Sequence, residues 1–372
     1  MLLLKSNRES ILKPLNAVIN IVERRNSLPI LSNVLIIFSK SKITLTTSDI
    51  EMELTSFIKV ESCNAEHSLT VSARKLQDVL KNMLEEEIIQ FEFDNNKLII
   101  KQNKSKYSLQ TIAGDEFPVI TPPTNNIIEL RESKKTIANV FKSVSFSMAH
   151  QDVRYYLNGL YLQIADGQIC AVATDGHRLA LNYATLSNKL ELNVGKTNEF
   201  IIPRKAVIEI EKLCDDDEMI DITFYDQHLV VESEYVKLTT KLIEGKYPDY
   251  KKVVPKEEQS KVVLNRKEFL NGLQRVSVLA AEKYKGIKLS VNDNLVQLNS
   301  SNTEQEEAEV QLNCSNKSLS ISMGFNVSYL IEGLSNASCE KIELMLSDPQ
   351  ASALILNPEL KDFKYIVMPM RI

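Results

Sequence analysis

The sequence predicts an α+β fold made of three copies of one domain, and three observations carry that prediction. Segments 32–54 (SNVLIIFSKSKITLTTSDIEMEL), 158–180 (NGLYLQIADGQICAVATDGHRLA) and 285–307 (KGIKLSVNDNLVQLNSSNTEQEE) align. Asn33, Gly159 and Gly286 correspond at spacings of 126 and 127 residues, as do Ile43, Ile169 and Val296, and then Asp49, Asp175 and Asn302. Each segment alternates apolar and polar residues on both sides of a turn, which is the pattern of a β-hairpin. A helix-patterned stretch stands before and after every hairpin. A period of about 125 residues is too long for a solenoid unit, so each copy is a domain in its own right.

Taken in order, the helices before the hairpins are NRESILKPLNAVINIV from Asn7, ESKKTIANVFKSVSFSM from Glu132 and NRKEFLNGLQRVSVLA from Asn265. Ile137, Val140, Phe141 and Val144 illustrate the i, i+3, i+4 apolar stripe, and Ser133 and Asn265 are capping residue types. The helices after the hairpins are ARKLQDVLKNML from Ala73, PRKAVIEIEKLC from Pro203 and FNVSYLIEGLSN from Phe325. Further strands follow, such as LIIKQNKSKYSLQTI and HLVVESEYVKLTTKLI. Linkers fall near Thr121–Asn126 and Val253–Ser260, which divides the chain into domains 1–124, 125–254 and 255–372.

Composition excludes several classes. The chain of 372 residues is 44% hydrophobic and 25% charged, ordinary for a soluble globular protein. No run of 18 apolar residues is present, and MLLLKSNRES is too short for a secretory core, so a cytoplasmic location is expected. Cys63, Cys170, Cys214, Cys314 and Cys339 are dispersed without a CxxC pair, as reduced thiols are. His67, His150, His177 and His228 form no zinc-type spacing. Neither GxxxxGK[ST] nor GxGxxG occurs. No metal and no cofactor is expected.

Charge is distributed unevenly. The chain carries −5 overall, yet the first helix of each copy with its flanks (residues 5–25, 131–151 and 265–285) carries +3, leaving −14 for the remainder. Helices sharing one side of the molecule would make that side basic. Such a face contacts phosphates without reading sequence, while an acidic remainder disfavours nucleic acid elsewhere.

Several strings resemble a known family. They are LPILSN (Leu28–Asn33), TTSDIEME (Thr46–Glu53), FSMAHQDVRYYLNG (Phe146–Gly159), ATDGHRLA (Ala173–Ala180), YPDYKKVVP (Tyr247–Pro255), NTEQEEAEV (Asn302–Val310), GFNVSYL (Gly324–Leu330) and YIVMPMRI (Tyr365–Ile372). Together, in this order and over the full length, they look like the bacterial sliding clamp, the β subunit of DNA polymerase III. The resemblance implies three DNA-clamp domains, each with two helices packed on antiparallel sheets. It implies a head-to-tail homodimer whose six domains form a ring around duplex DNA. It implies a processivity factor without catalytic activity, whose partners are double-stranded DNA, a second copy, the replicative polymerase, clamp-loader subunits and other clamp-binding proteins.

The resemblance also implies three sites. DNA contacts fall on Arg25, Gln151, Tyr155 and Tyr156, with Arg74, Lys75, Arg204 and Lys205 at the starts of the second helices; the third copy is expected to hold Phe325 and Asn326 there. A partner-peptide groove comprises Leu157, Thr174, Gly176, His177, Arg178, Leu179, Pro248, Lys252, Val253, Asn326, Tyr329 and Ser352, completed by Val367, Met368, Pro369, Met370 and Arg371. The dimer junction sets Lys104, Lys106, Tyr107 and Leu109 against Glu304, Glu306, Glu307 and Glu309, with Val278 and Leu279 near Tyr107 and Leu109. By strand period Lys104 and Lys106 share one face and Tyr107 and Leu109 the other. Departures from the family pattern are Lys252, where arginine is usual, Ile372 in place of leucine, and Pro349 and Gln350 at the groove edge. Asp175, His177 and Arg178 have the residue types of acid–base chemistry, but no nucleophile or metal set accompanies them. An enzyme acting on nucleic acid would need clustered carboxylates for metals, which do not recur here. A peptide-binding scaffold alone would leave the three basic helices unexplained.

Overall fold

The computed structural model describes residues 1–22, 28–61, 63–187, 198–214, 218–255, 260–316 and 319–371. The first copy runs β1 (Leu2–Ser6), α1 (Arg8–Val18), β2 (Asn33–Ser39), β3 (Lys42–Ser48), β4 (Met52–Lys59), β5 (His67–Ser72), α2 (Ala73–Lys81), β6 (Ile89–Asp94), β7 (Lys97–Gln102) and β8 (Ser105–Ala113). The second runs β9 (Ile128–Ser133), α3 (Lys134–Ser145), β10 (Gly159–Ala165), β11 (Gln168–Thr174), β12 (Arg178–Thr185), β13 (Asn198–Pro203), α4 (Arg204–Leu213), β14 (Met219–Phe224), β15 (His228–Glu232) and β16 (Val236–Lys241). The third runs β17 (Ser260–Asn265), α5 (Arg266–Ser277), β18 (Gly286–Asn292), β19 (Leu295–Ser301), β20 (Glu307–Asn313), β21 (Ser315–Asn316), β22 (Ile321–Asn326), α6 (Val327–Ser335), β23 (Lys341–Leu346), β24 (Ala353–Asn357) and β25 (Leu360–Val367). The three aligned segments form the antiparallel hairpins β2–β3, β10–β11 and β18–β19.

Compactness does not follow the copies. One unit is residues 1–134 with 217–242, and the other is 135–216 with 243–372. The first contains a sheet ordered β1-β6-β7-β8-β5-β2-β3-β4-β16-β15-β14-β9. The second contains the sheets β13-β10-β11-β12-β25-β24-β23-β17-β21 and β20-β19-β18-β22. Strands of successive copies pair directly, β4 with β16 and β12 with β25. Backbone ladders thus run through the repeat boundaries, because an exposed strand edge is satisfied by the next copy's edge.

The helix stripes are buried as the pattern requires: Ile137, Val140, Phe141 and Val144 are each 3% exposed or less. Asn265 caps α5 by accepting from Glu268 N at 3.1 Å. Helix α3 starts two residues later than its pattern, since Glu132 and Ser133 finish β9. The corresponding residues Asp49, Asp175 and Asn302 have one job in all three copies. Each side-chain Oδ1 accepts two backbone N–H groups just ahead: Glu51 and Met52, His177 and Arg178, Glu304 and Glu306. This closes the turn after the hairpin's second strand.

A second three-fold device corrects the charge argument. The first residue of each first helix is a cation tied to the end of the second helix or the segment after it. Arg8 donates to Met83 O at 3.1 Å and pairs with Glu9 and Glu85. Lys134, 4% exposed, pairs with Glu218 at 3.0 Å. Arg266 donates to Leu334 O at 3.0 Å and Cys339 O at 2.7 Å. Cations near helix C-termini meet carbonyls that lack an intrahelical partner. These three therefore hold each domain together, and the first-helix cations that stay exposed are Lys13, Lys135, Lys142, Lys267 and Arg275.

His67 and His228 sit in the first unit with burial as the main cause holding each below its ordinary value of 6.5; Lys241 adds to this for His228. His67 packs on Phe93 at 4.2 Å between ring centres. His67 Nε2 and His228 Nδ1 are buried without a hydrogen-bond partner among the described residues. A folded value below the unfolded one means the unfolded chain takes up the proton first. Stability is therefore full above pH 6.5 and falls as pH drops through the folded values. Melting temperature should decline from pH 7 towards about 5.5, before carboxylates titrate. The H67L/H228L double variant should flatten that decline; an unchanged slope would refute the assignment.

Candidate functional site

A pocket of 150 Å³ opens in the second unit. A cavity of this size has room for an apolar side chain, since a single water needs only about 10–15 Å³ by the same measure. It is lined by Arg154, Tyr156, Leu157, Thr174, Gly176, Arg178, Leu179, Tyr247, Pro248, Tyr250, Val253, Ile366 and Met368. The walls are built by the end of β11, the start of β12, the end of β25 and the irregular segment 247–253. Register explains the assembly: Arg178 pairs with Val367 and Leu179 with Ile366, so β12 and β25 deliver adjacent wall residues. Met368 N then donates to His177 O at 2.9 Å, carrying the tail along the rim.

The floor is apolar and uncharged. Leu157, Leu179, Tyr247, Tyr250 and Ile366 belong to one buried cluster with Tyr161, Cys170 and Val172. Tyr161 stacks on Tyr247 with ring centres 4.8 Å apart. Burial pushes the Tyr161, Tyr247 and Tyr250 phenols and the Cys170 thiol up, so none ionises near neutral pH. Such a surface recognises apolar groups, with polar atoms at the rim to orient a bound backbone.

The rim carries the charge. Arg154 donates to Asp152 through Nε at 3.0 Å and Nη2 at 2.8 Å, and to Asp175 O at 3.1 Å. The hydrogen bonds from Arg154 hold the Asp152 carboxyl down at about 2. Gly176, at φ +89, lies under this guanidinium; a Cβ there would meet Arg154 Nη1 at 2.9 Å. The left-handed backbone therefore favours glycine, while the exposed end of Arg154 could shift to admit a Cβ. Arg178 is 8% exposed and its Nε reaches Asp175 Oδ2 at 3.1 Å. Asp175 is thus a turn residue and a guanidinium partner, which accounts for the Asp-x-His-Arg string without catalysis.

Of the groove residues expected from sequence, Leu157, Thr174, Gly176, Arg178, Leu179, Pro248, Val253 and Met368 line the pocket. His177 stacks on Tyr329 at 6.4 Å beside it. Met370 N donates to Gly324 O at 2.9 Å, with Pro369 before it half-buried and Arg371 after it exposed. Ser352 directly precedes Ala353, the partner of Val367. Asn326 caps α6 by accepting from Ser328 N at 2.9 Å, Val367 is fully buried in its strand, and Lys252 points to solvent, paired with Asp249 at 3.2 Å. Among the pocket residues not expected for the groove, Tyr247, Tyr250, Arg154 and Ile366 stand inside strings already singled out. Tyr156, expected at DNA, packs on the pocket cluster, whereas Tyr155 is exposed and edge-on to it at 5.8 Å.

Arg25 lies outside the described residues. Gln151 is exposed at φ +56. Arg74 and Arg204 each donate to a carbonyl beyond the first helix, Val22 O at 3.1 Å and Met148 O at 3.0 Å. Lys75 is exposed and Lys205 half-buried. Sheet register also corrects the correspondence with the third copy. Asn33 pairs with Ser72, Gly159 with Pro203 and Gly286 with Asn326. Arg74 and Lys205 therefore correspond to Ser328, and Arg204 to Ala73 and Val327; Phe325 and Asn326 finish the preceding strand.

The expected junction residues fall on two strand edges, in the turns beside them and at the end of α5. Strand β8 pairs with β7 through Ser105–Gln110 and with β5 through Thr111–Ala113, so the other edge of 105–110 is unpaired among the described residues. Lys106 and Tyr107 are on it, exposed, with Leu109 half-buried; Lys104 belongs to the preceding turn, not to the strand face. Strand β20 is the outer strand of its sheet and carries Glu307 and Glu309, while Glu304 and Glu306 occupy the Asn302 turn. Val278, at the end of α5, is 77% exposed, and Leu279 is half-buried. Among the described residues no group of His, Cys, Asp or Glu is placed to hold a metal ion, and no helix is long and apolar enough to cross a membrane.

Comparison with known proteins agrees over the whole chain. The N-terminal, central and C-terminal domains of the DNA polymerase III beta subunit match residues 2–121, 132–249 and 251–371. The chain is 37% identical over 367 residues to a beta sliding clamp of Pseudomonas putida, covering 98% of both. It is 31% identical over 366 residues to that of Escherichia coli, again covering 98% of both. The crystal structure of the DNA polymerase III subunit beta from Pseudomonas aeruginosa superposes with a TM-score of 0.95 at 34% identity, covering 100% of both chains. The chain belongs to the DNA polymerase III beta-subunit family, the non-catalytic sliding clamps of DNA replication.

Proposed function

We propose that two copies close head to tail into a six-domain ring around duplex DNA, and that the pocket takes apolar-anchored peptides of the replicative polymerase, clamp loader and other clamp-binding proteins. Each copy supplies three domains, 1–124, 125–254 and 255–372. The observation that carries this reading is the pair of unpaired strand edges of opposite charge, Lys106 on β8 and Glu307 with Glu309 on β20. An antiparallel pairing of one copy's β8 with the other's β20 would satisfy both edges and bring unlike charges together. A heterologous contact of this kind makes a ring when its rotation closes.

Inside the ring, Lys13, Lys135, Lys142, Lys267 and Arg275 meet phosphates, joined by Lys75, Lys205, Gln151 and Tyr155. Phosphate contacts fix no sequence, so the ring slides; its hold on DNA is topological and needs little affinity. The pocket tethers the polymerase to that ring in the cytoplasm.

The test uses labelled protein loaded on a nicked circular plasmid with clamp loader and ATP, stripped in high salt and then linearised. Retention on the circle with release on cutting is expected. Equal, salt-sensitive binding before and after cutting would mean open-surface phosphate contact and would overturn the ring. The K135E/K142E/K267E variant should load poorly, leaving roughly a tenth or less of the protein on the circle, since each phosphate contact contributes to the salt-dependent term. Retention equal to the unmodified protein would remove the helices from the DNA face.

A further inference from the structure

We infer that Glu332 is a positioning residue for the peptide pocket: it holds the wall residue Arg178 in place from helix α6 without lining the pocket itself. The inference rests on the pocket reading above.

Arg178 is the one side chain in the pocket wall that is both charged and nearly fully buried, and its hydrogen bonds diverge. Nε goes to Asp175 Oδ2 at 3.1 Å, Nη2 to Phe146 O at 2.9 Å and Nη1 to Glu332 Oε2 at 2.7 Å. The first partner is on its own turn and the second follows α3. The third comes from a different repeat. The guanidinium also lies 4.6 Å from the centre of the Tyr329 ring. Tyr329 and Glu332 are three residues apart on α6, so one helix face offers a ring and a carboxylate to a single cation.

That helix face is itself fixed. Tyr365 Oη donates to Tyr329 O at 2.8 Å, and Gly333 lets the Tyr365 ring sit against the helix backbone. Tyr365 is on β25, whose next residue, Ile366, and then Met368 are pocket wall. The pocket is thus bounded by a closed circuit: β12 through Arg178 to Glu332 on α6, through Tyr365 to β25, and back to β12 through the strand pairing. Three of the five N–H donors of Arg178 are placed by Asp175, Phe146 and Glu332, and only the last of these ties it to α6. Cutting the Glu332 link leaves a buried guanidinium short of a carboxylate, and it relieves that deficit by turning towards the pocket and its solvent. The wall then moves where a ligand's apolar anchor would rest.

Stability behaves differently. The Glu332 side chain is 46% exposed. A half-solvated carboxylate contributes little to folding, so its loss should leave the melting temperature near that of the unmodified protein.

The experiment measures binding of short fluorescent peptides bearing leucine and phenylalanine anchors to the full-length dimer, by anisotropy, for E332A, E332Q, R178M and R178M/E332A. E332A should weaken binding about tenfold with an unchanged melting curve, a coupling within the range seen for residues sharing one network. E332Q, which keeps an acceptor at the same reach, should recover most of that loss. On the R178M background E332A should have no further effect, which a merely structural role would not produce. Binding by E332A equal to the unmodified protein overturns the positioning role alone. Failure of the unmodified protein to bind any of these peptides overturns the pocket reading and this inference with it.

Discussion

Replacing Gly333 by valine is expected to unfold the packing between α6 and β25 and to abolish peptide binding with it. A Cβ at this position would lie 2.3 Å from Tyr365 Cε1 and 2.5 Å from Cδ1. The ring has nowhere to retreat. Tyr365 is fully buried, its Oη is bonded to Tyr329 O, and its ring packs on Phe146 at 5.3 Å between centres. Even alanine sets two effects against each other. Removing glycine from a helix gains about 1 kcal/mol of propensity. Overpacking a closed core costs about 1–3 kcal/mol, and more where the obstacle is a clamped ring. The clash should win, so G333A should unfold at lower urea than the unmodified protein and G333V should shift the midpoint further. Peptide affinity should fall in the same order, because Tyr365 leads directly into the wall at Ile366 and Met368. A G333A variant as stable as the unmodified protein would show that the helix can slide on the strand, and the closed circuit around Arg178 would not be rigid.

Much of this architecture is legible in the sequence because the repeat prints it three times. Alternation in the hairpins and the apolar stripe Ile137, Val140, Phe141, Val144 are local patterns, and burial follows them directly. The pocket is legible only in part. Its strings are distinctive, but which side chain of YPDYKKVVP turns inward depends on the irregular path of 247–253, and that places Tyr247 and Tyr250 in the floor and Lys252 in solvent. Charge counting misleads for a different reason. Arg8, Lys134 and Arg266 look like surface cations in one dimension, yet each is the first residue of its helix and is drawn to carbonyls or a carboxylate at the end of the second helix or just after it, more than 60 residues away in sequence. Arg74 and Arg204 are drawn in the same way to Val22 O and Met148 O. The alignment of second-helix starts failed in the third copy by two residues against Arg204 and three against Arg74, because no arginine marks the place and only strand register fixes it.

Reversing charge on one edge should open the proposed ring, and reversing both edges should close it again. In K104E/K106E the β8 edge would present carboxylates to Glu304, Glu306, Glu307 and Glu309 of a second copy. Attraction at every close pair becomes repulsion, while the exposed Val278 and Tyr107 remain. Dimer dissociation should strengthen about a hundredfold, since like charges set against each other at an interface act strongly and in register. The effect should shrink at high salt, because these side chains are solvent-exposed and screened within about 10 Å at 0.1 M. Adding E307K/E309K to the same chain restores unlike charges and should restore the dimer, which no general unfolding of β8 or β20 could do. Acid offers an independent handle. Gln311, Gln297 and Asn299 donate to Glu309 and hold its carboxyl below the ordinary 4.5. A lowered value keeps Glu309 charged at pH 5, and its own contribution to the pairing is lost only as pH falls through that lower value. Sedimentation velocity at two salt concentrations reads the dimer directly, and retention on circular DNA reads its consequence. A K104E/K106E chain that stays dimeric with unchanged salt dependence would place the junction elsewhere, and the complementary edges would then be two strand margins protected from aggregation by their charges.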